Sequence, residues 1–330
     1  MKKFLALVLA MLMVLSLAAC GEQTADDGQG TADDGKTGEK TNIVFASGGT
    51  SGTYYAVGGT IPTVLNNKLD LSYITVEATG ASKANVNMIT DGDAQMAILQ
   101  SDVLAYAHEG SNTFADTGVE DNALWVVGVY PEHVQFFAQP GITSVEDLRG
   151  KTVVVGDVGS GTEVNARQIF EAYSMTFDDI NAVNGSFALA AESIKDGKAA
   201  AGFIVAGAPT TSLVELATTN EFSMISLDQD KIDWLHEKYP FLLQNDIPAG
   251  TYSCVNEDVG AVAVTAVIVA SEDLSEDVVY EFTKALFESK DELVNANAQW
   301  KHLDPAVSCQ HGNVPLHPGA ERYYKEIGVL

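Results

Sequence analysis

The stretch Ile43-Val44-Phe45-Ala46-Ser47-Gly48-Gly49-Thr50-Ser51-Gly52-Thr53-Tyr54-Tyr55 runs an apolar strand into a glycine- and hydroxyl-rich turn and then into two tyrosines. A strand, a glycine turn and a helix in succession form the βα junction of a parallel sheet, and ligands bind outside the carboxyl ends of such strands. The glycines let backbone N–H groups approach a ligand, while hydroxyls and helix N-termini suit an anionic group. The plainer alternative is that Ser and Thr only cap the following helix. Adjacent tyrosines cannot face one way on a helix, which puts one on a cleft wall and the other in the core.

The same plan recurs downstream. Thr152–Val155 enters Gly156-Asp157-Val158-Gly159-Ser160-Gly161-Thr162, and a helix is expected from about Glu163 to Tyr173. After the first junction come Asp91-Gly92, a buried strand at Gln95–Leu99 and Gln100-Ser101-Asp102. After the second come Asp196-Gly197, a buried strand at Ala200–Val205 and Ala206-Gly207-Ala208-Pro209-Thr210. Strands alternating with helices predict an α/β chain with parallel-rich sheets flanked by helices. We read two similar lobes rather than one long sheet. The tail adds a strand in VGAVAVTAVIVA (residues 259–270) and helices near Ser275–Lys290 and Asp291–His302, folded back on the first lobe. Crossovers are expected near Val129–Gln139 and Tyr252–Val259. Four polar turns facing one cleft describe a bilobal solute-binding protein.

The amino terminus fits that reading. Lys2 and Lys3 precede an apolar run from Phe4 to Leu17, then Ala18-Ala19-Cys20, the form of a secretory signal too short for a comfortable bilayer span. Small residues followed by Cys20 resemble a bacterial lipobox, which implies a signal peptide at 1–19 and lipidation of Cys20, with palmitate among the expected acyl groups. Residues 20–41 hold almost nothing apolar after the cysteine and read as a flexible acidic tether. No later stretch reads as a second membrane span. The net charge of -27 disfavours nucleic acid and anionic membrane surfaces. Cys254 and Cys309 form a candidate disulfide in an exported protein, or two separate thiols; both options stay open.

Several chemistries are excluded. Gly150-Lys151-Thr152 precedes its strand and lacks the upstream glycine of a P-loop. The glycine order in GDVGSG is not the dinucleotide one, and no G-x-S-x-G elbow occurs. Cys309, His311 and His317 fit no standard zinc spacing, so neither metal nor cofactor is expected. His133, beside Pro131 and Glu132, is placed at the inferred crossover. Arg149, Arg167 and Arg322 all fall outside the polar turns, so an anionic ligand would be held by helix ends and hydroxyls rather than by a guanidinium clamp.

The ordered series IVFASGGTSGTYY, TGAS with Asn85, MAILQSD, SVEDLRGKTVVVGDVGSGT, VAGAPT and PLHPGAERYYKEIG resembles the TAXI family, the substrate-binding receptors of tripartite ATP-independent periplasmic (TRAP) transporters, across residues 42–330. That resemblance implies a two-lobed, type II-like periplasmic-binding-protein fold that closes on a ligand in the interlobe cleft. It implies a non-enzymatic, lipid-anchored, monomeric receptor for a small carboxylate, glutamate-like or dicarboxylate, that serves an ion-gradient-driven multi-span permease at the outer face of the membrane or in the periplasm. Lobe 1 is expected at 42–131 plus 258–330 and lobe 2 at 132–257. The motifs carry over ligand-binding roles to Gly49, Thr50, Ser51, Gly52, Tyr54, Ser82, Asn85, Gln100, Ser101, Asp102, Ser160, Gly161, Thr162, Gly207 and Pro209. Asp102 binds a ligand ammonium or caps its own helix. Ala56, Ala81 and Ala200 depart from the family pattern; Ala81 stands where glycine is frequent, and Lys83 follows with no assigned role. The competing class is a sensor or enzymatic domain on the same two-lobe fold.

Overall fold

The computed structural model describes residues 39–330. The signal peptide, Cys20 and most of the tether lie outside the described residues. The tether boundary at 41 shifts slightly, because Thr41 already pairs with Ser72 as the first residue of a strand.

The opening stretch forms strand β1 (Thr41–Ala46) and two short helices, α1 (Thr53–Gly58) and α2 (Thr60–Leu65), where one helix was expected. Strand β2 (Ser72–Glu77), helix α3 (Ser82–Thr90), strand β3 (Met96–Gln100) and helix α4 (Ser101–Glu109) complete the first unit of the repeat. Strand β4 (Ala123–Ala138) then leads into the second unit: β5 (Thr152–Val154), α5 (Gly161–Ala172), β6 (Asn181–Val183), α6 (Phe187–Lys195), β7 (Ala201–Ala206) and α7 (Thr211–Thr219). The short strand β8 (Ser223–Met224), helix α8 (Gln229–Lys238) and short strand β9 (Leu243–Gln244) lead to β10 (Val262–Ser271). Helices α9 (Glu276–Glu288) and α10 (Lys290–Ala296), a 3-10 turn at Ala298–His302, α11 (Pro305–Ser308) and α12 (Pro318–Glu326) finish the chain.

The strands join in one hydrogen-bonded path, β2-β1-β3-β10-β4-β7-β5-β6, with β8 on β4 and β9 on β10. This corrects the expectation of two separate sheets. The cause is the length of β4. Its residues Ala123–His133 pair with β10, and His133–Ala138 pair with β7, so one strand belongs to both repeat units. The outer pairs β1–β2, β1–β3, β5–β6 and β5–β7 are parallel, as βαβ crossovers require, while the central pairs of β10 and β4 are antiparallel.

Side chains alternate across the sheet. Phe136 stacks on Phe203 and meets Phe170 edge-on, while Phe137 points the other way to Phe222. The buried residues fall into separate groups. One is built on Ile43, Phe45, Tyr130, Phe282 and Trp300, and another on Phe136, Phe170 and Phe203. Membership changes between Tyr130 and Val134 on β4 and between Val264 and Ala266 on β10. The chain therefore passes from one packed body to the other inside two strands rather than through loops, and the return crossing lies later than Tyr252–Val259.

Candidate functional site

The loops after β1, β2, β5 and β6, with the carboxyl ends of β3 and β7, converge on a cavity of about 560 Å³ of non-atom space, part of it open to solvent. Each half contributes helix N-termini. The starts of α3 (Ala81, Ser82), α5 (Ser160, Gly161) and α6 (Ser186, Phe187) all line the cavity, so three positive helix ends face it. Among the described residues no Lys, Arg or His lines it. Each arginine is engaged elsewhere, Arg149 with Asp179, Arg167 with Glu163, and Arg322 with Glu276 and Asp277.

Of the residues selected from sequence, Gly49, Ser51, Gly52, Tyr54, Ser82, Gln100, Ser160, Gly161 and Thr162 line the cavity. The glycine turn is tight: Gly52 N–H donates to Gly49 O at 2.9 Å, and a Cβ on Gly52 would meet Phe187 of the facing half at 3.4 Å. Ser160 caps α5 by accepting from Glu163 N–H at 3.2 Å, and Ser82 Oγ accepts from Gln100 N–H at 3.2 Å. The capping reading thus holds for Ser160 alongside its place on the wall. Tyr54 is buried against the cavity wall, while Tyr55 faces solvent rather than the core where the second tyrosine was expected.

Six selected residues stand elsewhere, each for a physical reason. Thr50 points to solvent at the turn's apex. Asn85 is fully buried and donates to Ser47 O (2.6 Å) and Ile98 O (2.7 Å), tying the ends of β1 and β3 together. Ser101 Oγ accepts from Thr265 N–H on β10 at 3.3 Å. The Gly207–Pro209 turn is covered by protein. Thr53 Oγ1 donates to Gly207 O at 3.4 Å and Gln299 Nε2 donates to Ala208 O at 3.3 Å. A Cβ on Gly207 would lie 2.7 Å from Gln299. Cys254 and Cys309 are both free thiols, packed in different buried groups, so the candidate disulfide is not formed.

Asp102 sits just behind the cavity in a buried polar network. Asn165 Nδ2 donates to Asp102 Oδ2 (2.9 Å) and to Gln168 Oε1 (2.9 Å). Gln100 Nε2 donates to Asn165 Oδ1 (3.1 Å), and Gln168 Nε2 to Tyr106 OH (2.9 Å). These bonds join α4 to α5 and so span the two repeat units. Val103 N–H donates to the other oxygen of Asp102, so the carboxylate caps its own helix. Burial pushes the Asp102 carboxyl up from 3.8 to about 6. A pKa raised by folding means the native state binds the proton more tightly, so this stability is fully present below about 3.8 and lost as pH rises through about 6. As pH falls from 8 to 5 the thermal midpoint of the wild type is therefore expected to gain relative to that of Asp102→Asn. A difference between the two midpoints that stays constant over that range would contradict this assignment.

Sequence reasoning missed Glu132. It is 1 % exposed, lines the cavity, and accepts a hydrogen bond from Tyr54 OH at Oε2 (2.7 Å). Burial, and secondarily the nearby Asp102, hold its carboxyl well above the usual carboxylate range. The available signal was a carboxylate inside the apolar run of residues 123–138, since an acid is almost never fully buried without a partner. Asp157, Ser186 and Phe187 are among the other lining residues not selected from sequence. His133 contacts Asn245 through Nε2 (3.1 Å) at the point where β4 changes partner, not the cavity. Lys83 reaches Thr113 O and lies over the Phe114 ring, bracing the loop behind α3.

Ala81 carries backbone strain. Its φ of 69° with ψ of -146° is a conformation largely reserved for glycine. Ala81→Gly is expected to raise stability by about 1 kcal/mol. Chemical denaturation measures it, and an unchanged or lower midpoint would count against the strain.

Comparison with known proteins places this geometry. The model of the NMT1-like family matches residues 45–328. PhnD1 from Prochlorococcus marinus (MIT 9301), in complex with methylphosphonate, superposes with a TM-score of 0.54 at 10% identity, covering 88% of this chain and 99% of that one. A chain from the structural work on glutathione import via GshT and the cystine ABC importer TcyBC of Streptococcus mutans gives a TM-score of 0.52 at 11% identity, over 80% and 98% of the two chains. The fold is a mixed α/β sheet flanked by helices, the periplasmic-binding-protein fold.

Proposed function

The chain belongs to the NMT1-like family, and from that footing we propose that it is an exported, non-enzymatic solute receptor that closes on a small carboxylate. The observation that carries the reading is the convergence of three helix N-termini from both repeat units on one cavity without any cationic side chain. Helix ends stabilise an anion by about 0.3–1 kcal/mol each, and more where solvent is excluded, so several together can replace a guanidinium. No group of three metal-ligating side chains occurs among the described residues.

The finer parts of the proposal rest on the sequence. Residues 42–131 with 258–330 act as one lobe and 132–257 as the other; the change of core membership along β4 supports the first boundary, while along β10 the change comes between Val264 and Ala266, a few residues beyond the second. Cys20 carries the lipid that holds the receptor at the outer membrane face, and the released carboxylate passes to a TRAP-type permease. Among the described residues no helix is long and apolar enough to cross a membrane, which leaves that anchor as the membrane attachment in this account.

The test is thermal unfolding of the full chain with amino acids, dicarboxylates and keto acids. A ligand of the native state raises stability by RT ln(1 + [L]/Kd), about 2.7 kcal/mol at a hundredfold excess over Kd. A shift with at least one carboxylate supports the reading. Absence of any shift, in protein freed of bound ligand by partial unfolding and refolding, would remove the ligand class.

A further inference from the structure

The cavity has two electrical poles. The α3, α5 and α6 N-termini supply the positive one. Opposite in sign, when ionised, are Asp157 and the more deeply buried Glu132, whose Oε2 is held by Tyr54 while its Oε1 has no protein partner among the described residues. Such a carboxylate gains little from a purely anionic ligand and much from one that brings its own donor or positive charge. We propose that Glu132 is the specificity-determining residue of this site and that it selects ligands carrying an ammonium group together with a carboxylate, against the same acids lacking the amine. This rests on the small-carboxylate reading above and chooses within it.

The local chemistry supports a dedicated role. Glu132 lies on β4 opposite Val264 of β10, so the sheet offers it no counter-charge. The titratable groups around it are Tyr54 from α1, Tyr130 from β4 and Asp102 from α4, none of them cationic. Tyr130 OH is itself buried without a partner. Burial favours the protonated acid in the absence of ligand. An ammonium at Oε1 reverses that preference: the Glu132 proton leaves to solvent and a charge-assisted hydrogen bond takes its place. Tyr54 keeps the carboxylate fixed from the other side, so its orientation does not depend on the ligand.

The experiment is calorimetric titration of the full chain with matched pairs that differ only in the amine: L-glutamate and glutarate, L-aspartate and succinate, L-alanine and propionate. A charge-assisted buried hydrogen bond corresponds to roughly tenfold or more in affinity. The wild type is expected to prefer an amino acid over its deaminated partner by roughly that factor, and to release a proton on binding it, read from enthalpies in buffers of different ionisation heat. Glu132→Gln should bring the pair within about threefold and abolish proton release. Tyr54→Phe, which keeps the carboxylate, should retain the preference, so a general loss of packing is distinguished from loss of the charge. Equal or tighter binding of the deaminated acid by the wild type, or a preference preserved in Glu132→Gln, overturns the assignment while leaving the receptor reading intact. If no member of any pair binds, the assignment falls, and the receptor reading falls with it only if the keto acids of the wider panel also fail to bind.

Discussion

Gly161→Val is expected to weaken ligand capture by roughly a hundredfold or more while leaving the far-ultraviolet circular dichroism unchanged. Gly161 is the first residue of α5, and a Cβ there would lie 1.3 Å from Gln100 Oε1 and 2.3 Å from Gln100 Cδ. Gln100 could escape such a clash if it were exposed, but it is 2 % exposed and its amide is held by Asn165. Moving it breaks that bond and disturbs the Asn165–Asp102 bond beside it. The cheaper relaxation is for the end of β3 and the start of α5 to separate. These segments belong to different repeat units, so the substitution keeps each packed body and spoils only their approach. Thermal shift with a stabilising carboxylate measures the effect. Binding within threefold of wild type would show that the contact does not govern closure.

Trp300→Ala is expected to cost about 3–5 kcal/mol of stability and to lower the thermal midpoint by on the order of 10 °C. The indole is fully buried in the group built on Ile43, Phe45 and Phe282. Its N–H donates to Thr60 Oγ1 at 2.9 Å, pinning the start of α2. Deletion removes a large apolar surface, leaves a cavity and strips a donor from a hydroxyl. A second consequence follows from the neighbour. Gln299, one residue before, reaches Ala208 O in the second unit, so a loosened Trp300 also frees this tie. Denaturant melts give the stability loss. A cost below about 1 kcal/mol would mean that the site collapses without a void.

Much of the scaffold was legible because its signals are local. The run Ile43–Ala46 ends at a glycine turn, and Thr152–Val154 does the same, so two βα junctions with N-terminal helix ends could be read directly. Gly52, Ser82, Ser160 and Gly161 reached the cavity for that reason. Asn85 and Ser101 stand away from the cavity, which local sequence does not reveal because a polar residue beside a buried strand looks the same whether it ties two backbones or meets a ligand. Only the partners decide, and those are far along the chain: Ile98 for Asn85 and Thr265 for Ser101. Gly207 belongs to the same class, since the side chain that fills its space is Gln299. Glu132 was hidden differently. With Pro131 before it and His133 after it, it interrupts an apolar run in a way that reads as a bend. Its partner Tyr54 is brought to it only by the packing of α1 against β4. The single sheet was likewise not readable, because β4 looks like one long buried strand and nothing local shows that it changes partner at His133.

Closure of the cavity on a carboxylate is the centre of this account, and a distance across the cleft measures it most directly. Ala78, just after β2, and Ala188, in the first turn of α6, are both exposed at the carboxyl ends of their units' strands. Spin labels on Ala78→Cys and Ala188→Cys, in a Cys254→Ser background, report that distance. The account predicts a broad or long distribution in protein freed of ligand that shortens and narrows when a stabilising carboxylate is added, and that stays long in Gly161→Val. A distance that is the same with and without a compound that demonstrably binds would contradict it.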